Sequence, residues 1–249
     1  MKCTISSCTQ QLNVLRLTVG SIAVVALIFS ASIDFLAPLF RESPLIASDY
    51  HAELIIKALH SNTVVSFFPI IAALPMAGSY LDDIKNKFAL CILIRTDCMK
   101  YLISRILVCY LSGGAAVITG ILLAWSGVAL LLFPMEKIAE VSSGSSAILL
   151  KTIALIFLDS GLWALVGMAM SSMIESQYIA YASPFVIYYL LVILCERYLP
   201  NVFPLYPPNW TNPDAWPFGA LGVTLFLLEL TAICGIVFII RAGKRLQEL

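Results

Sequence analysis

The sequence predicts an all-α integral membrane protein, a single transmembrane domain over 1–249 with six transmembrane helices and both termini in the cytoplasm. Composition, six long apolar runs and a lopsided distribution of Lys and Arg predict it. Hydrophobic residues make up 60% of the 249 and charged residues 12%, about half the charged share of a soluble domain. Mean hydropathy is +0.94. The formal net charge is zero, which gives no reason to expect a polyanionic partner such as nucleic acid.

A helix needs about 20 residues to cross roughly 30 Å of hydrocarbon. The runs at approximately 17–39, 63–81, 106–133, 148–170, 178–196 and 218–240 meet that length. The first is longer than the apolar stretch of a cleaved signal and reads as a retained helix. The third exceeds what it needs, and Gly113, Gly114, Gly120 and Gly127 within it predict close packing, a bend or a tilt. Pro69, Pro75 and Pro184 interrupt the second and fifth runs and predict kinks.

Lys and Arg orient the runs, because cytoplasmic loops are enriched in them. Lys2, Arg16, Lys85, Lys87, Arg95, Lys100, Arg105, Arg241, Lys244 and Arg245 fall on one side, ten in all. Arg41, Lys57, Lys137, Lys151 and Arg197 fall on the other, half as many. The 171–177 turn carries no basic residue and is placed by helix count alone.

The longest cytoplasmic segment, 82–104, reads as a short amphipathic helix, a turn and then a membrane helix. Ile84, Phe88, Cys91 and Ile92 stand at helical spacing, and Thr96 or Asp97 is placed to cap the next helix. Two readings stand side by side: a helix lying among lipid headgroups, or a docking element for a cytoplasmic partner. Met173 and Ile174, apolar in the polar 171–177 turn, admit the same two readings. The outer loops are 40–62 and 197–217. In the first, a helix is expected near 47–60, with Leu54, Ile55 and Leu59 on one side and His51, Glu53 and Lys57 elsewhere. The second is crowded with Pro, Trp and Tyr from Tyr198 to Pro217, which prevents a regular helix and suits a cap at the membrane surface.

Asp159 and Glu229 lie near the middles of the fourth and sixth runs. A carboxylate at that depth costs at least ~2.5 kcal/mol, so it faces a cavity, a partner or a proton. One reading lines a translocation path with both; the other gives each a hydrogen bond between helices, with Ser160, Thr231 or a backbone carbonyl as partner.

Enzyme signatures are absent from the sequence. There is no G-x-x-x-x-G-K-[ST] phosphate loop, no G-x-S-x-G elbow and no H-E-x-x-H, the two histidines being His51 and His60. The seven cysteines (Cys3, Cys8, Cys91, Cys98, Cys109, Cys195 and Cys234) form no CxxC pair and read as small apolar filler. No metal and no cofactor is expected to be bound by this chain.

The run Phe68-Pro69-Ile70-Ile71-Ala72-Ala73-Leu74-Pro75 leads into Ser79-Tyr80-Leu81-Asp82-Asp83-Ile84-Lys85-Asn86-Lys87-Phe88. Ile94-Arg95-Thr96-Asp97 and Lys100-Tyr101-Leu102-Ile103-Ser104-Arg105 follow. This pattern resembles the membrane subunit of ABC-2-type ATP-binding-cassette exporters. In that family an acidic residue ends the second span, an amphipathic helix docks into the ATPase, and Tyr with a basic residue opens the third span. The chain departs in carrying Asn86-Lys87-Phe88 where the family often has Gly.

The resemblance implies a permease subunit that is no enzyme by itself. It would couple to a separate ABC ATPase subunit that holds ATP and Mg, and pair with a second membrane subunit, identical or related. Phe88 and Ile92 would be apolar anchors on the ATPase, and Asp83, Lys87 and Arg95 polar rim contacts. Met173, Ile174 and Glu175 would form a second contact. The substrate would be a hydrophobic or amphipathic molecule such as a peptide, bacteriocin or drug, and the location a bacterial plasma membrane, multi-pass. Two other classes are weighed against it: an ion- or proton-coupled secondary transporter using Asp159 and Glu229, and a non-transporting membrane scaffold or enzyme.

Overall fold

In hydrocarbon no water satisfies backbone N–H and C=O groups, so a chain this apolar is confined to helices or a closed barrel. The computed structural model describes residues 14–42, 49–134, 144–199 and 202–247, and among these it forms nine α-helices and three 3₁₀ turns. Lys2, Cys3, Cys8 and Lys137 lie outside the described residues. The helices are α1 (Val14–Glu42), α2 (Tyr50–Leu59), α3 (Asn62–Ala73), α4 (Ser79–Lys85) and α5 (Phe88–Leu93). There follow α6 (Cys98–Leu132), α7 (Ser145–Ile174), α8 (Gln177–Arg197) and α9 (Gly219–Gln247).

Five of them, α1, α6, α7, α8 and α9, are long and apolar enough to cross a membrane. The apolar helices mark a multi-pass membrane protein. Their bounds extend the expected runs, most of all at α6, which begins eight residues before 106 because the chain turns straight from Asp97 into helix. Pro134 stands two residues past its end and cannot continue the ladder.

The second expected run is not one helix. α3 ends at Ala73, and a series of turns over 74–78, containing Pro75, separates it from α4. Pro75 lacks the N–H a continuous helix would use there. On its other side α3 joins α2 at 71°, and this bent pair counts as a sixth crossing only if taken as one broken span. The expected outer-loop helix exists as α2, with Leu54, Ile55 and Leu59 turned into the bundle and Glu53 and Lys57 exposed and paired with each other at 2.8 Å. Ala52, Leu54, Ile55, Ala58 and Leu59 are all buried, and α2 packs against α1, α6 and α7.

α7 is the centre of the bundle. Its most apolar 18-residue stretch is 72% buried, against 22% for α1 and α9 and 28% for α8. It packs on α2, α3, α6, α8 and α9. Small residues let α6 come close. A Cβ placed on Gly113 would sit 2.6 Å from Ala164 Cβ and 2.8 Å from the Ala72 carbonyl oxygen; one on Gly120 would sit 2.5 Å from Val24 Cβ. Backbones that approach so closely gain dispersion contacts and short hydrogen bonds, the main sources of helix association in lipid. Ser21 Oγ donates to the Ala116 carbonyl at 3.0 Å and meets Thr119 Oγ1 at 2.6 Å, tying α1 to α6. The glycines expected to permit close packing do so in a continuous helix.

At the opposite end from the polar cluster described below, the proline-rich segment folds into 3₁₀ turns Phe203–Leu205, Pro207–Thr211 and Pro213–Ala215, each with Pro in its first two positions. Trp210 Nε1 donates to the Pro204 carbonyl at 2.9 Å, and Trp216 Nε1 to that of Asn209 at 3.0 Å. Trp210 is 2% exposed and stacks on Trp163 of α7 at 5.6 Å. The segment is thus anchored in the bundle and not merely laid over it. α8 and α9 share no packed interface of their own; the Pro207–Thr211 turn touches both and α7 as well.

Candidate functional site

The richest polar geometry lies where the first turns of α1, α6 and α8 and the last turn of α9 gather around α4 and α5. α4 carries two adjacent carboxylates, and consecutive residues of a helix point about 100° apart, so the two reach different neighbours. Asp82 meets Arg16 Nη1 of α1 at 3.5 Å and accepts a hydrogen bond from Gln177 Nε2 of α8. Asp83 turns the other way, pairs with the Arg105 guanidinium of α6 and accepts from Tyr101 Oη at 2.7 Å. The side chains of Arg105 and Asp83 are 2% and 13% exposed. The Arg105 guanidinium also lies 5.4 Å from the centre of the Tyr101 ring, within cation–π reach.

After α4 the chain turns at Lys87, whose φ of 58° is left-handed and strained for a residue with a Cβ. α5 then runs for six residues. Ala89 is buried, and Ile92 and Leu93 pack against a cluster containing Tyr80, Tyr101, Leu102 and Phe238. Phe88 is 61% exposed and Ile94, in the next turn, 85%. Side chains lean toward a helix N-terminus, so Phe88, first in α5, overhangs the packed surface while Ile92 one turn on settles into it. Thr96 Oγ1 donates back to the Ile92 carbonyl at 2.9 Å. Asp97 is the N-cap of α6 without a side-chain cap bond; it pairs instead with Lys100 at 2.5 Å, a hydrogen bond that holds its carboxyl below its ordinary value.

A second exposed strip lies on the α7–α8 turn. Met173 is 45% exposed, Ile174 53% and Tyr178 87%. Glu175 has a left-handed φ of 60° and pairs with Arg245 Nη2 of α9 at 3.1 Å.

The residues expected to face a partner thus divide. Lys87, Phe88, Arg95, Met173, Ile174 and Glu175 are exposed. Asp83 and Ile92 are turned inward, the first toward Arg105 and the second into the apolar cluster. The sequence uses Arg16, Arg105 and Arg245 only to orient the helices, and Tyr101 with Arg105 only as part of the family resemblance, and it gives Gln177 no role; in the structure all five hold this end together. Ile94 and Tyr178 are not singled out in the sequence as partner-facing, yet both are exposed. The position of Arg105 at the very edge of the third apolar run was the signal available.

Asp159 and Glu229 are not brought together. Asp159 is 6% exposed in the heart of α7, one turn before Trp163, and its Oδ1 has no hydrogen-bond partner among the described residues. The expected partner Ser160 is itself buried without one, and Thr231 donates to its own helix at Leu227. Glu229 is exposed on α9.

A groove of about 250 Å³ at the far end is lined by Glu196, Leu199, Val202, Tyr206 and Asn209 among others. Tyr206 Oη donates to Glu196 Oε1 at 3.2 Å, and burial with that carboxylate pushes the phenol's pKa up. Among the described residues no group of three His, Cys, Asp or Glu is placed to hold a metal ion.

Comparison with protein families, curated proteins and solved structures finds none that matches the chain.

Proposed function

We propose that the chain is the membrane subunit of an ABC-2-type exporter, driven by a separate ATPase chain that docks on the α4–α5 end. Six crossings, with α2–α3 as one bent span and both ends of the chain in the cytoplasm, belong to this reading. The observation that supports it best is the outward projection of Phe88 and Ile94 from a six-residue helix, beside Asp82 and Asp83, which tie the preceding helix to α1, α6 and α8. Exposed apolar side chains on a rigidly mounted element are what a partner groove can grip, and a push on α5 would be passed through these ion pairs to three membrane helices. The Met173–Ile174 turn offers a second grip at the end of the central helix. Cargo would be a hydrophobic or amphipathic molecule, moved with ATP and Mg bound by the partner, and a second membrane subunit would complete the path.

The test is co-purification with the candidate ATPase from the source cell and measurement of cargo-stimulated ATP hydrolysis. Phe88→Asp is expected to abolish both association and stimulation while the chain stays in the membrane. Cargo movement with no nucleotide-hydrolysing companion would overturn the reading. A carrier that used Asp159 and Glu229 together finds one inside the bundle and the other on its outer face.

A further inference from the structure

Glu229 stands ten residues after Gly219, the start of α9, about 15 Å along the helix and so near the middle of roughly 30 Å of hydrocarbon. α9 buries Val223, Leu227, Phe238 and Ala242 against the bundle. Glu229 faces the opposite way, on a strip with Leu225, Ile233, Ile236 and Ile240, which are 68%, 50%, 56% and 52% exposed. The strip is otherwise wholly apolar. Among the described residues no hydrogen bond or ion pair reaches this carboxylate.

A carboxylate in that position is costly unless something covers and pairs it. No described Lys or Arg supplies the complement. The described Lys and Arg side chains on the long helices lie toward one end or the other: Arg16, Lys100, Arg105, Arg241, Lys244 and Arg245 at one, Lys151 and Arg197 at the other. A second copy related by a two-fold axis along the membrane normal would set Glu229 against Glu229 at equal depth, like against like.

We propose that this face of α9 seats a transmembrane helix of a different protein chain, which brings a Lys, Arg or His to pair with Glu229 inside the bilayer. The inference rests on the placement of one side chain in a membrane and does not need a motor protein, so the two proposals fail separately.

A photo-crosslinking residue placed at Ala232 or Ile236 in the source cell's own membranes tests it, with adducts mapped by mass spectrometry. The expected result is an adduct to a membrane helix of another chain with a basic residue at the crosslinked depth. Glu229→Gln should lower its yield at least about tenfold, and Glu229→Lys should abolish it until the partner's basic residue is changed to Glu. The Gln variant keeps the residue's size and carries the test alone if the Lys variant is lost from the membrane. Adducts between two copies, adducts only to lipid, an adduct to a helix without a basic residue, or an adduct that survives Glu229→Gln would each overturn the proposal.

Discussion

Asp83 and Arg105 form an ion pair in which neither side chain is appreciably exposed, and it joins α4 to the first turns of α6. Breaking one partner of such a pair strands the other without water, which is worse than never having had the pair. Asp83→Asn is therefore expected to destabilise the protein by about 3–5 kcal/mol. The double variant Asp83→Leu with Arg105→Met should recover part of that loss. Thermal unfolding in detergent, read by the buried tryptophans, measures both, and a double variant worse than the single one would show that the pair does not act as a unit.

The contact between α1 and α6 depends on a missing side chain. A Cβ at Gly120 would press within 2.5 Å of Val24, whereas one at Gly235 would meet nothing closer than 3.6 Å. Gly120→Ala should cost about 1–3 kcal/mol through overpacking, while Gly235→Ala should be neutral or slightly stabilising. Melting temperatures of the two variants decide it, and equal effects would mean that α1 yields freely.

Trp210 closes the far end by stacking on Trp163 and meeting Phe226 at 5.8 Å. Trp210→Ala is expected to cost about 3–5 kcal/mol and to open the 3₁₀ segment to protease added on that side. Proteolysis of sealed vesicles in both orientations would show whether cleavage appears there.

Asp159 holds a carboxyl in the core with Oδ1 unmatched among the described residues. Such a group opposes folding, so Asp159→Leu is expected to leave the melting temperature unchanged or to raise it. A variant that unfolds readily would instead give the carboxyl a structural task. If the variant is stable and cargo transport falls, Asp159 is kept for function at the expense of stability.

Much of this was readable along the chain because hydrophobic length is a local property. About 20 apolar residues in a row leave the backbone one solution, and the glycines of the third run and the prolines of the 203–217 segment foretold close packing and broken helix where each is found. The interruption of the second run is marked by Pro75, which along the sequence predicts no more than a kink. Phe88 and Ile92 look alike on a helical wheel, and only the packing of a six-residue helix against Tyr101 and Phe238 turned one outward and the other in.

By itself, then, the sequence determined that the chain is a set of membrane-length helices and which of its loops gather basic charge. The folded structure decided which helix lies at the centre, which helices the apolar face of α2 packs against, that Asp83 answers Arg105, and that Asp159 and Glu229 face different surroundings. The physical reason is that helices apolar on every side carry no periodic signal of which face meets protein and which meets lipid. That choice falls to small residues and paired charges on other helices, whose neighbours are far away in the sequence.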